Sequence, residues 1–322
     1  MHSQLKMSVS VKVIEIPIAI RALKTASIYV VSSENKNILV DTGMDSQIDV
    51  FLKGSGIDIN QIDGVVLTHM HIDHLGGSSR LGTKFGIKSY LGARDMERVS
   101  AIQNSPEKFI EWQKEYLTMH GVPNFYTDSM NKFHPVYTEL KNYLTLNTDD
   151  FEEYSDLGNI FNVIRTPGHS PGSTCFETLD RKNLFTGDHV LERITPNISY
   201  YDENEDMLDE YIKSLNLIRE NKSENIFPGH GKPFHSLKEN IDRILKHHEE
   251  RLDEVRRICA NNRISAYEVA GKMRWSKGRT LESMNLMEAN FAIGEAISHL
   301  RYLSHHGQIE EIMPGSNILY KG

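Results

Sequence analysis

Residues 68–77 read Thr68-His69-Met70-His71-Ile72-Asp73-His74-Leu75-Gly76-Gly77, directly after the apolar run Gly64-Val65-Val66-Leu67. Three histidines and an aspartate fall within six residues. A helix would splay these side chains around a cylinder. A sharp loop leaving a buried strand aims them at one point instead, as the ligands of a metal ion must be aimed. The stretch therefore predicts a metal site at a strand exit, with further ligands to be found elsewhere in the chain.

Working outward, residues 9–16, 28–31 and 38–40 carry strand-type apolar patterning, with Asn35-Lys36-Asn37 as a hairpin turn between the last two. Asp41-Thr42-Gly43 ends a strand, residues 46–53 read as a short amphipathic helix, and residues 64–67 form the buried strand that delivers the histidines. Residues 87–91 form another strand. From about 94 to 156 the pattern becomes helical and aromatic, with Phe109, Trp112, Tyr116, Phe125, Tyr126, Phe133 and Tyr137, and we read it as an insertion that could cap a site. Strand character returns at 161–164, 174–178, 183–185 and 225–227, with a helix expected over 207–220. Strands alternating with helices imply an α/β layered fold.

Three of these later strands end in a metal-type side chain: His169 within Thr166-Pro167-Gly168-His169-Ser170-Pro171-Gly172, Asp188 within Thr186-Gly187-Asp188-His189, and His230 within Pro228-Gly229-His230-Gly231. Together with His69, His71, Asp73 and His74 they make five imidazoles and two carboxylates. One four-coordinate ion cannot use so many donors. They suit two borderline-soft divalent ions, Zn²⁺ first and Fe²⁺ or Mn²⁺ as alternatives, with a carboxylate as the natural bridge. Two such ions acidify the water between them into a hydroxide nucleophile, so no serine or cysteine nucleophile is needed.

Beyond residue 235 the chain reads as a separate small unit of helices followed by a hairpin at 308–320, in the manner of a winged helix. Residues 236–322 hold 13 Lys/Arg and 12 Asp/Glu, so this part is nearly neutral and the first 235 residues carry about -9 of the total -8. That balance weighs against DNA or RNA as a partner and favours packing or a homodimer. No apolar run is long enough to span a membrane, the first residues lack the apolar core of a secretory signal, and Cys175 and Cys259 form no framework. A reducing cytoplasm is the expected location.

The ordered set His69-x-His71-x-Asp73-His74, His169, Asp188 and His230 resembles the metal motif of the metallo-beta-lactamase superfamily at every position, over residues 9 to about 235. Asp41-Thr42-Gly43 and the segments around His169 and His230 are family-like flanks. The resemblance implies an αββα sandwich (residues 1–235, with the helical insertion) and a winged-helix-like domain (236–322) similar to the tail of the beta-lactamase-like protein 2 family. By the same resemblance His69, His71 and His169 hold one metal, Asp73, His74 and His230 the other, and Asp188 bridges them. Class B1 beta-lactamases place a cysteine where Asp188 stands, which argues against antibiotic hydrolysis. Flavodiiron enzymes carry a glutamate where His71 stands, and glyoxalase II enzymes differ after the last histidine, where this chain has Gly231-Lys232-Pro233.

The expected function is a dinuclear metal-dependent hydrolase of a small ester, thioester or lactone. Its bridging hydroxide would attack the carbonyl, with Asp188 and Asp73 as catalytic carboxylates and Asp73 or a water assisting the leaving group. Tyr200 and Tyr201 are candidate substrate residues that could donate to an oxyanion. The alternatives are a phosphodiesterase or endoribonuclease of the beta-lactamase-like protein 2 type, and a DNA-binding sensor built on the metal domain. His189 reads as a packing histidine, and His120, His134 and His235 as surface or cap residues.

Overall fold

The computed structural model describes residues 9–17, 25–33, 36–44, 48, 53–56, 58–138, 140–146, 151–152, 154 and 160–322. The helix expected over 46–53 and the turn residue Asn35 lie largely outside the described residues. Six strands form the first sheet in sequence order: β1 (Val9–Pro17), β2 (Thr25–Ser33), β3 (Lys36–Val40), β4 (Gly64–Val66), β5 (Ser89–Tyr90) and β6 (Phe151–Glu152). β1, β2 and β3 are antiparallel neighbours, and β3 to β6 run parallel. The second sheet has the order β10 (Asn225–Pro228), β9 (Asn183–Gly187), β8 (Thr174–Thr178), β7 (Phe161–Arg165).

Period-two alternation assigns each strand residue to a layer. Tyr29, Val31, Ile38, Val40 and Val66 of the first sheet meet Phe161, Phe176, Phe185 and Phe227 of the second in one buried core. Their neighbours Ile28, Val30, Leu39 and Val65 point the other way, onto the outer helices α2 (Ser78–Phe85) and α3 (Ala93–Asn104) through Leu81, Val99 and Ile102. On the far face Cys175, Leu184 and Ile226 pack beneath α8 (Met207–Ile218) and α9 (Leu237–Cys259) through Tyr211, Leu215, Ile241 and Ile244. This is the αββα layering, and it explains why the strands read as apolar on both faces. A short α1 (Ile72–Leu75) precedes α2.

The segment between β5 and β6 divides its allegiance. α3 belongs to the outer layer of the first sheet, whereas α4 (Pro106–Met119) and α5 (Asn124–Thr127) contribute Tyr116, Leu117 and Tyr126 to the core on the other side. α6 (Pro135–Thr138) and α7 (Leu140–Thr145) return the chain to the edge strand β6. After α9 come α10 (Ala266–Lys272) and α11 (Leu286–His305), each opened by a capping box, Ser265 with Glu268 and Asn285 with Glu288. The chain closes with β11 (Glu310–Ile312) antiparallel to β12 (Leu319–Lys321). This hairpin is tied down: Tyr320 exchanges backbone hydrogen bonds with Ile264, and the Ile318 N–H donates to the Met119 carbonyl at the end of α4. Among the described residues no helix is long and apolar enough to cross a membrane.

Candidate metal centre

The seven donors picked from sequence converge where the two sheets meet. His69, Met70 and His71 leave β4 as an extended loop, and the remaining pair, Asp73 and His74, sit on α1, of which His71 is the N-cap residue. Loop and helical turn thus share the task that a loop alone was expected to perform. Adjacent residues on that one turn still face one centre because Asp73 reaches in from the half-buried rim and His74 from the interior. His169 follows β7, Asp188 follows β9 and His230 follows β10, so the second sheet supplies the other three.

Hydrogen bonding fixes the tautomer of each ring. Thr68 donates its hydroxyl to Asp41 Oδ2 (2.8 Å), so it accepts the Nδ1–H of His69 (3.0 Å) and leaves His69 Nε2 bare. His74 donates Nδ1–H to Asp41 Oδ2 (2.8 Å), His169 donates Nδ1–H to the Asn197 carbonyl (3.1 Å), and His230 donates Nδ1–H to the Thr25 carbonyl (2.7 Å). His71 is turned the other way. The Tyr201 hydroxyl donates to the His169 carbonyl (2.9 Å) and accepts the Nε2–H of His71 (2.7 Å), which leaves His71 Nδ1 bare.

Five bare nitrogens therefore face two carboxylates. His71 Nδ1 stands 2.9 Å from His69 Nε2 and 3.0 Å from His169 Nε2, a packing of lone pairs that only a cation or a proton between them makes favourable. Asp188 spans the centre: Oδ1 lies 3.6 Å from His74 Nε2, while Oδ2 lies 3.2 Å from His230 Nε2 and 3.6 Å from His169 Nε2. Asp73 Oδ2 is 3.4 Å from His230 Nε2. Three groups have donor atoms gathered within 4.8 Å of one another: His69, His71 and His169; His69, His74 and Asp188; and Asp73, His74 and His230. His74 Nε2, Asp188 Oδ1 and His230 Nε2 are buried with no hydrogen-bond partner. Orphaned polar atoms of this kind are costly unless something completes them, so the donor set fits divalent metal.

The electrostatics agree. Burial pushes the His69 and His71 rings down, with the neighbouring rings adding to the effect, and His71 reaches about 3. Burial also opposes protonation of His74, yet Asp188, Asp73 and Asp41 lift it to about 9, and His230 rises to about 11 beside Asp188 and Asp73. Against the desolvation of its carboxyl, Asp188 is held well below the usual range by His230 and His74. Without metal, the pocket recruits protons as its positive charge.

Several supporting residues carried no clear signal in the sequence. Asp41, a flank of the motif, orients Thr68 through its N–H (2.7 Å) and hydroxyl and also holds His74; it does so from a left-handed backbone with φ 60°. Its place at a strand end before Thr-Gly was the available clue. Asn197 joins the His169 ring to α11, donating from Nδ2 to the Phe291 carbonyl (3.1 Å).

Tyr201 was expected to face substrate as an oxyanion donor, but its one proton is on the His169 carbonyl. Tyr200 packs among the insertion aromatics, its ring 4.9 Å from Tyr116 and 6.3 Å from Trp112. Arg94 and Arg98 of α3 hold the same loop through Asp202 and Glu205, and Arg94 also pairs with Glu210 of α8. Contrary to the surface reading, His120 and His134 are buried; only His235 is exposed. His189 is buried against Tyr211, and Cys175 is core.

Tyr201→Phe removes the partner that orients His71 without altering a donor. Metal affinity is expected to fall roughly 10–100-fold, with the fold retained. Competition titration against a chromophoric chelator measures it, and wild-type affinity would assign the hydroxyl no role at the centre.

The comparisons with known proteins concur. The sequence profile of the metallo-beta-lactamase superfamily matches residues 22–230, which include all seven donors. A beta-lactamase-like protein 2 homolog of Drosophila melanogaster is 28% identical over 238 residues, 72% of this chain and 68% of that protein. An atrochrysone carboxyl ACP thioesterase of Aspergillus fumigatus is 23% identical over 72% of this chain and 59% of its own length. Among solved structures, a metallo-beta-lactamase family protein from Thermus thermophilus superposes over 97% of this chain and 98% of its own, with a TM-score of 0.79 at 22% identity. A beta-lactamase domain protein from Burkholderia ambifaria gives 0.78 at 20% identity, over 97% and 92% of the two chains.

Proposed function

The chain belongs to the metallo-beta-lactamase superfamily, and on that premise we propose that this hydrolase uses two divalent cations, Zn²⁺ first, on a small ester, thioester or lactone. The observation that carries the reading is Asp188, whose carboxylate lies within 3.6 Å of His169 Nε2 from one group of donors and of His74 Nε2 and His230 Nε2 from the other. His69, His71 and His169 would hold one cation, Asp73, His74 and His230 the second, and Asp188 would join them. Cations there supply Lewis acidity toward a carbonyl oxygen and lower the pKa of a water between them. The chain's own part is orientation. Asp41 sets His69 (through Thr68) and His74, Tyr201 sets His71, and Asp73, more exposed at 15% than Asp188 at 8%, is placed to meet an incoming substrate.

Three observations support an uncharged, partly apolar substrate. The first 235 residues carry about -9, which repels a polyanion. Tyr200, next to Tyr201, packs against Trp112 and Tyr116 of α4, an apolar aromatic cluster beside the loop that holds His71. The Aspergillus relative is named for thioester cleavage. Phosphodiester cleavage, the activity that the sequence resemblance to the beta-lactamase-like protein 2 family implies, is the second reading. We also propose a boundary near residue 235, with the three helices and hairpin beyond it forming a winged-helix-like unit that serves packing or dimerisation.

Protein purified without chelator is expected to hold about two equivalents of transition metal and to lose turnover on chelation. A reconstituted assay across thioester, lactone and phosphodiester substrates then assigns the bond. Absence of metal together with indifference to chelator would sink the proposal, and salt-dependent RNA cleavage with no ester turnover would install the second reading.

A further inference from the structure

We propose that Asp95 is a positioning residue that sets the spacing between the two loops supplying His69, His71 and His169. The proposal rests on the reading of those three residues as one metal set. Asp95 lies in the first turn of α3 and is fully buried. It touches none of the three histidines. Its Oδ2 accepts the N–H of Met70 (2.9 Å), the residue between His69 and His71, and the hydroxyl of Ser170 (2.7 Å), the residue after His169. Its Oδ1 accepts the N–H of Gly172 (2.6 Å). One carboxylate thus fastens two loops about a hundred residues apart to a helix start.

The arrangement is expensive, which argues that it is not incidental filling. Burial pushes the Asp95 carboxyl up to about 6 even though the Ser170, Gly172 and Met70 donors pull it down. A buried carboxylate without a bonded cation is normally avoided. The packing leaves no freedom either. A Cβ on Gly172 would stand 2.7 Å from Asp95 Cβ, and one on Gly92 would stand 2.4 Å from the Gly172 carbonyl oxygen. Helix start and loop are in direct backbone contact, so a shift at Asp95 moves the His169 loop.

Only a carboxylate can accept all three bonds. Asparagine has the same shape but offers one acceptor face and one donor face. With its amide nitrogen at the Oδ1 position it opposes the Gly172 N–H, and with the nitrogen at the Oδ2 position it opposes the Met70 N–H. In the first orientation the His169 loop is left with the Ser170 bond alone, and in the second the His69–His71 loop loses its bond to residue 95.

The experiment is a titration of metal-free Asp95→Asn with Co²⁺ alone, read by visible absorption and by stoichiometry beside wild type. We expect a folded protein in which one of the two Co²⁺ equivalents binds at least about tenfold more weakly, with an altered band for that ion, the range in which supporting shells act. A purely structural role would lower thermal stability and leave band and affinity unchanged, which would overturn the proposal. If Asp95→Asn does not fold, Ser170→Ala carries the test. It removes one bond of the three, and a smaller weakening of the same equivalent is expected, whereas wild-type binding would overturn the proposal. Wild type that binds no Co²⁺ would overturn the metal-centre reading itself, which separates the two failures.

Discussion

Asp188→Asn is expected to lower turnover at least roughly a thousandfold, about 4 kcal/mol of transition-state stabilisation, while the protein stays folded. The residue is almost fully buried, and its two oxygens face different nitrogens: Oδ1 faces His74, and Oδ2 faces His230 and His169. Asparagine keeps the volume, removes the charge and turns one face into an N–H donor. In either orientation the N–H faces a ring of the Asp73, His74 and His230 set, His74 at the Oδ1 position or His230 at the Oδ2 position, so that set loses its shared anion. Metal analysis should show the loss of about one equivalent. Circular dichroism keeps unfolding apart from loss of the centre. An Asp188→Asn protein with full metal content and wild-type turnover would remove Asp188 from the centre altogether.

The second large effect comes from a residue that ligates nothing. A Cβ at Gly229 would stand 2.4 Å from Asp188 Oδ1 and 2.6 Å from His74 Cε1, a methyl group inside the donor cluster. The backbone cannot retreat from it. The Gly229 N–H donates to the Gly187 carbonyl (2.7 Å), and its own carbonyl accepts from the Ser27 N–H (2.8 Å). Gly229 is not among the glycines with positive φ, so alanine is conformationally acceptable there and the damage falls on Asp188 and His74. Gly229→Ala should cost about 1–3 kcal/mol in stability from overpacking. It should also lower turnover about a hundredfold or more, because displacements near 1 Å carry that penalty. Thermal unfolding and metal titration measure the two parts. Wild-type metal affinity would show that the centre can relax around the methyl.

How far the sequence was readable depended on how local each signal was. His69, His71, Asp73 and His74 announce themselves within six residues, and the glycine-flanked histidines at 169 and 230 stand at strand exits that alternation makes visible. The sheet layers followed the same alternation, as Tyr29 and Val31 pack one way while Ile28 and Val30 pack the other. Asp95 gave no such signal. In the stretch Arg94-Asp95-Met96-Glu97-Arg98 it looks like any acidic residue in a helix's first turn, and its partners are at Met70, Ser170 and Gly172. Tyr201 stands out as a tyrosine soon after Asp188, but its partner His71 is 130 positions away, so its task has no local signature. His120 caps the end of α4, but its burial and that of His134 leave no local trace, because segments such as Tyr320, which stacks on His120, come from far along the chain.

The division of donors between the sheets has a mechanical meaning. His69, His71, Asp73 and His74 hang from β4, and His169, Asp188 and His230 hang from β7, β9 and β10. Neither half of the chain holds a complete set. A cation bound here would rivet two leaves that already share an apolar core and hydrogen bonds such as Ser27 N–H to the Gly229 carbonyl, and part of its binding energy would be energy of assembly. Loading the centre would then add to the stability of the closed fold, and a chain caught half-folded would have no place to keep its metal.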